Sequence, residues 1–168
     1  RLVGSEMCIR DRFIVVYLFV LIIFWGAIFA IDKAAKDAGV NVNTKSNTVT
    51  VSKDGNTTQV GSNVSLPDGF PSSMPIYSGA KLVSASKTNG TDYYVTATTS
   101  DSAAKVTSYY KSELVAKGWT IDSSTDSTDT YGTGTSLGVS NGQLTGTVGI
   151  YGDDKQTTTI LISVYPKL

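Results

Sequence analysis

Histidine is absent from all 168 residues, and the only cysteine is Cys8. A His-based triad, a His-ligated zinc site and an internal disulfide are therefore out of reach. Carboxylates, hydroxyls and lysines are what remain for chemistry. Asp122, Asp126 and Asp129 in "IDSSTDSTDTYGTGT" raise a calcium reading, because hard cations want clustered oxygens. Their spacing lacks the alternate-residue ligands of an EF-hand loop, and the Ser/Thr/Gly composition suits a solvated loop equally well. Gly132-x-Gly134 has no strand-to-helix switch after it, so it is not a phosphate loop. Asp153 and Asp154 read as turn residues rather than an acid–base pair. No Ser–Lys pair stands out. The expectation is a non-enzyme with no catalytic residues, no metal site and no cofactor.

Aromatic residues are better candidates for function. Tyr94, Tyr151 and Tyr165 stand among threonines, where a tyrosine can offer a rigid, amphipathic contact. Tyr109, Tyr110 and Trp119 could instead line a cleft between a helix and a sheet. Which trio is free depends on the elements that carry them.

Fourteen Lys+Arg balance fourteen Asp+Glu, so there is no electrostatic footprint for nucleic acid. All three arginines (Arg1, Arg10, Arg12) fall in the first twelve residues, and "GSEMCIRDR" resembles the translation of a sequencing-library adapter. Residues 1–12 are accordingly set apart from the fold as an expected artefact. Residues 13–31, "FIVVYLFVLIIFWGAIFAI", carry no charge. As a helix they would span about 28 Å, with insertion favourable by about 5 kcal/mol. The run exceeds a signal h-region and lacks an A-x-A site, which favours an uncleaved transmembrane anchor whose partner is the lipid bilayer. The expected topology is single-pass, with the amino terminus inside and the C-terminal domain extracytoplasmic.

Residues 32–65 read as a short helical extension stopped by Gly39, then a stalk or accessory hairpin about Asp54-Gly55. Its apolar side is thin: Val49, Val51 and Val60. Residues 66–80, "LPDGFPSSMPIYSGA", place Pro67, Pro71 and Pro75 at four-residue intervals. Each proline favours an extended residue before it, so a stiff arm pinned by Phe70, Ile76 and Tyr77 is expected. The box Leu-Pro-x-x-Phe-Pro-x-x-x-Pro-x-Tyr-x-Gly-Ala, followed by Tyr-Tyr and Gly-Trp, resembles a family of small membrane-anchored bacterial extracytoplasmic domains of unknown function. The resemblance covers about residues 66–119. It implies an envelope location and a packing signature, and it implies no activity.

Residues 66–168 form the expected folded domain. Asn89-Gly90 predicts a hairpin in which Leu82 faces Ala97, Ser84 faces Val95 and Ser86 faces Tyr93. Tyr93, Val95 and Ala97 would then share one face, with Tyr94 on the other. Asp101 or Ser100 would cap a helix with the stripe Ala103, Val106, Tyr110 and Leu114. Gly118 would end it, with Trp119 placed for a Schellman contact. Asn141-Gly142 would pair Val139 with Leu144. Placing Ile160, Ile162 and Val164 with Ile150 requires an odd loop of three or five residues about 153–155.

The predicted fold class is α+β: a transmembrane helix, then a two-layer domain. Its antiparallel sheet would have about five strands, with the 101–117 helix on one face. The predicted core is Leu82, Tyr93, Val95, Val106, Tyr110, Leu114, Leu137, Val139, Leu144, Val148, Ile150, Ile160, Ile162 and Val164. A module of this kind could present Tyr94, Tyr151 and Tyr165 to an envelope protein or glycan, unless the 66–79 arm covers those rings. The alternative is a small-ligand domain, for glycan or lipid, with a helix–sheet cleft.

Overall fold

The computed structural model describes residues 41–45, 47–129, 132–152 and 157–167. The expected artefact, the 13–31 span and the 32–39 helical extension lie outside the described residues, as do Asp153 and Asp154. The chain divides into units 1–41 and 42–168, and the second carries nearly everything described.

Alternation of apolar and polar residues is pervasive here, and it makes strands. The elements are β1 (Asn41–Lys45), β2 (Thr48–Lys53), β3 (Asn56–Gly61), β4 (Lys81–Thr88) and β5 (Asp92–Thr99), then α1 (Ala103–Ala116). They continue with β6 (Thr120–Asp129), β7 (Gly132–Asn141), β8 (Leu144–Tyr151) and β9 (Thr158–Pro166). All nine strands belong to one sheet in the order β1-β2-β3-β4-β5-β9-β8-β7-β6, antiparallel through β2–β5, β9 and β8–β6. The expected architecture is thereby corrected. The molecule is mostly antiparallel sheet, nine strands rather than about five, with one helix among the described residues. Single-pass topology with an extracytoplasmic domain is corrected too: no helix among the described residues is long and apolar enough to cross a membrane.

Two stretches account for the extra strands. Asp54 and Gly55 both take positive φ (50° and 78°) and close a two-residue turn, with Lys53 opposite Asn56. The hairpin joins the main sheet: β3 pairs with β4, from Thr57 opposite Lys87 to Val60 opposite Ser84. A lone hairpin is marginal in water, and joining a sheet satisfies its free edge. The second stretch is 120–129, whose Ser/Thr/Asp composition suggested a loop. It is a ten-residue edge strand on β7. An edge strand needs one backbone partner and little apolar side chain, so hydropathy does not reveal it.

The β4–β5 register departs from expectation near its turn. Thr91 N–H donates to Thr88 O at 3.2 Å, as a two-residue turn requires, but Asp92 pairs with Thr88 and leaves Thr91 over. Ala85 therefore faces Val95, and Ser86 faces Tyr94. An irregularity between Leu82 and Ser84 restores Leu82 opposite Ala97. The β7–β8 turn is likewise displaced. Asn141 pairs with Leu144, its Oδ1 accepts from Leu144 N–H at 3.3 Å, and Val139 meets Gly146. A shift of two residues keeps every side chain on its face, so Leu137, Val139, Val148 and Ile150 stay together. Ile150 pairs with Ile160 and Val148 with Ile162. The last pair, Tyr151 with Thr159, encloses residues 152–158, an odd number but longer than expected.

Ser102 caps α1 in place of Asp101 or Ser100: its Oγ accepts from Lys105 N–H at 3.4 Å. Asp101 is otherwise engaged, by Lys105 Nζ and Tyr77 Oη. The helix ends as expected. Gly118 takes φ 82°, Gly118 N–H donates to Val115 O, and Trp119 N–H donates to Leu114 O at 2.8 Å.

Helix α1 lays Val106, Tyr110 and Leu114, all fully buried, on one face of the sheet. Leu137, Val139, Val148, Ile150, Ile160 and Val164 meet them there. The predicted core is found on that face, with Leu82 and Leu144 only partly buried at its margin. Met74, Tyr77, Ala85, Ala97 and Trp119 complete it. Met74 and Tyr77 come from the 66–80 arm, which is not extended. It is a run of turns, closed by Phe70 N–H to Pro67 O, Met74 N–H to Pro71 O and Ala80 N–H to Tyr77 O. The first places Gly69 at φ 84°, a backbone state that favours glycine.

Candidate functional site

The arm and the helix share the same face of the sheet. Tyr77 N–H donates to Tyr110 Oη (3.3 Å), Tyr109 Oη donates to Ile76 O (3.2 Å) and Trp119 Nε1 donates to Ser73 O (3.0 Å). Tyr77, Tyr109 and Tyr110 meet edge to face, with ring centroids 4.9 and 5.3 Å apart. Burial pushes the Tyr110 hydroxyl well above the usual phenol range, so it stays neutral. Tyr109, Tyr110 and Trp119, the trio that could have lined a helix–sheet cleft, are thus occupied in holding the arm. Met74 and Tyr77 sit where such a cleft would open.

A latch fastens this layer at one end. Asp101 Oδ1 accepts from Lys105 Nζ at 2.8 Å, and Asp101 Oδ2 accepts from Tyr77 Oη at 2.6 Å. The Lys105 bond foremost, then the Tyr77 bond, holds the Asp101 carboxyl below the usual carboxylate range. The same Asp101 bond raises the Tyr77 phenol and the Lys105 ammonium. Backbone completes the arrangement, since Thr158 Oγ1 donates to Asp101 O at 2.7 Å. The Asp101–Lys105 ion pair, with the neutral Tyr77 phenol bonded to the acid, makes a structural tie between arm and helix.

The opposite face of the sheet carries Tyr94, Tyr151 and Tyr165. In register, Tyr94 on β5 faces Ser163 on β9, and Ser163 faces Thr147 on β8. Tyr165 lies two residues along β9, opposite Thr145. Leu161, opposite Thr96 and Gly149, fills the row between Tyr94 and Tyr151. Tyr94, Leu161 and Tyr165 remain 47%, 43% and 39% exposed, large side chains left facing solvent. The arm does not cover them. Its own aromatic contact on the sheet, Phe70 against Tyr93 at 5.8 Å, is made on the other side.

Two hollows indent this open face. One of about 300 Å³ is lined by Tyr94, Thr96, Thr147, Gly149, Tyr151 and Leu161, among others. A second, of about 690 Å³, lies between Tyr94 and Tyr165, with Asp92, Thr145 and Lys167 on its rim. Tyr94 belongs to both. Glycine makes the smaller hollow possible. A Cβ on Gly149 would come within 2.7 Å of Tyr151 Cε2, and one on Gly134, directly across from Tyr151, would collide with its Cδ1. The Tyr151 ring thus lies flat over two bare backbone positions, and larger residues there would lift it.

Asp122 and Asp126 do not converge. Asp126 stands four residues from Asp122, about 13 Å along a strand. Asp126 Oδ1 accepts instead from Thr135 Oγ1 at 2.8 Å, and Asp122 falls in the irregularity between Ile121 and Ser123. Gly132 and Gly134 are strand residues in β7. Sequence reasoning named the three open-face tyrosines but missed Leu161 and Gly149. The alternation of "TTTILISVY" places Leu161 opposite the Ile160–Ile162 face, and that signal could have found it.

Comparison with known proteins gives one likeness of class. Residues 79–158, from the turn before β4 to the start of β9, match the family model described as START domain-like. The match spans just under half of the chain. It makes this part of the chain similar to START domain-like proteins. No curated protein matches the chain.

Proposed function

We propose that this domain is a non-enzymatic binding module for a small lipophilic ligand, held on the open face of the sheet. One observation carries the reading: exposed Tyr94 and Leu161, with half-buried Tyr151, stand around a hollow of about 300 Å³. The corresponding surface on the other face is filled by helix and arm. Likeness to START domain-like proteins supports a small apolar ligand. The site differs from a helix–sheet cleft because Tyr110, Leu114 and Met74 occupy that space. The non-enzymatic part rests on residue types, since the sequence has no histidine and its shifted acid, amine and phenol tie one another down.

Nile red, a neutral apolar dye, tests the reading. Its emission should shift to the blue and brighten on the folded protein. Tyr94→Ala and Leu161→Ser should each weaken dye binding about three- to tenfold, the worth of one partly buried apolar side chain. Both should melt within a few degrees of the parent chain. Variants that unfold would make these residues part of the core, and variants that bind dye unchanged would sink the site.

A further inference from the structure

The two hollows differ in chemistry, although Tyr94 is a wall of both. Around Tyr151 and Leu161 the lining is ring, isobutyl and glycine backbone with the small hydroxyl residues Thr96, Thr147 and Ser163, and it holds no charged group. Between Tyr94 and Tyr165 it adds the hydroxyls of Thr91 and Thr145, the Asp92 carboxylate and the Lys167 ammonium. One acid and one amine on the same rim cancel at long range, so the hollow attracts neither an anion nor a cation as such. At short range they supply acceptors and donors together. Asp92 is already oriented, accepting from Asn89 Nδ2 at 3.1 Å and from Thr91 Oγ1 at 3.3 Å, and its remaining lone pairs are available. Vicinal hydroxyls, each both donor and acceptor, match such a rim. Tyrosine rings on either side suit the apolar C–H faces of a sugar.

We infer that the ligand of the open face is an amphipathic molecule with an uncharged, hydroxyl-rich head, of the alkyl-glycoside type. Its sugar occupies the hollow between Tyr94 and Tyr165, and its chain lies over Leu161 and Tyr151. This inference rests on the open-face binding proposed above. From Thr145 to Tyr151 strand β8 runs about 20 Å, room for a hexose and a medium alkyl chain end to end. A sulfate or phosphate head would meet Lys167 but sit beside Asp92, and a quaternary ammonium would meet the reverse. Each would give up hydration against a rim of mixed sign.

Three probes with one chain and different heads decide it: octyl glucoside, octyl sulfate and octyltrimethylammonium, titrated below micelle formation and followed by calorimetry and amide NMR. Octyl glucoside should bind about three- to tenfold more tightly than either ionic probe, the worth of one or two neutral hydrogen bonds. Its amide shifts should centre on β5, β8 and β9. Tyr165→Ala, near the end of β9, and Lys167→Met, just beyond it, should erase the preference while keeping the chain's contribution. Leu161→Ser should weaken all three probes alike. Equal affinity across heads, or a preference that survives both the Tyr165 and the Lys167 variants, would overturn the sugar head and leave the lipophilic site standing. Failure of all three probes would remove both.

Discussion

Asp101 accepts from Lys105 Nζ at 2.8 Å and from Tyr77 Oη at 2.6 Å, and these bonds fix its titration. A carboxyl held below its ordinary value contributes stability that is complete above about pH 4 and is lost as pH falls through the lowered value. The melting temperature should therefore drop as the solution is acidified below about pH 4. In Asp101→Asn the acid limb should be shallower and the neutral plateau lower. Parallel melting profiles for parent and variant from neutral to acid pH would show that the latch does not couple to folding. The sequence placed Asp101 at a helix start and offered it, or Ser100, as the cap. It could not show Tyr77, twenty-four positions earlier, arriving from the arm to take the carboxylate and leave the cap to Ser102.

At the level of elements, glycine separates backbone demand from space. Gly118 and Gly142 both have open space where a Cβ would go, yet only Gly118 takes a positive φ. Gly118→Ala should cost about 1 kcal/mol in a urea melt, and Gly142→Ala should stay within about 0.5 kcal/mol. Equal losses at the two sites would mean that the Schellman turn is not what Gly118 serves. The α1 stripe, its glycine stop and the facing of β5 and β7 to β9 were legible, because each depends on neighbours within a few residues. Register was not. The residue left over at Thr91 and the irregularity between Leu82 and Ser84 offset each other, so both ends of the β4–β5 hairpin fit different simple turns. Only pairing along its whole length decides where the extra residues go.

For the whole molecule, β1–β3 extend the sheet beyond the core. Every residue of the buried cluster lies at Met74 or later, with Val64 at its margin. A chain beginning at residue 63 should keep the helix, arm and six remaining strands folded. It should also expose the β4 edge, which β3 covers from Thr57 to Val60. An open edge of that length invites pairing with a second chain. Size-exclusion chromatography with light scattering should show the shortened protein folded but self-associating. A shortened chain that is unfolded, or folded and strictly monomeric, would contradict this division of labour.

Alternation at period two fixed which strand residues share a face, and spacing at three and four fixed the buried stripe of α1. Tyr93 against Tyr94, and Ile160 and Ile162 against Leu161, could therefore be sorted without a structure. Tertiary structure alone decided which of the two faces would be covered. The arm that carries Met74 and Tyr77 could have lain on either side, and the aromatic residues on both sides were suited to receive it. It went to the helix side, where Tyr110, Tyr109 and Trp119 satisfy its backbone groups. Those partners are thirty-three to forty-six residues away in sequence, beyond what any local pattern encodes. That choice left Tyr94, Tyr151 and Tyr165 facing water.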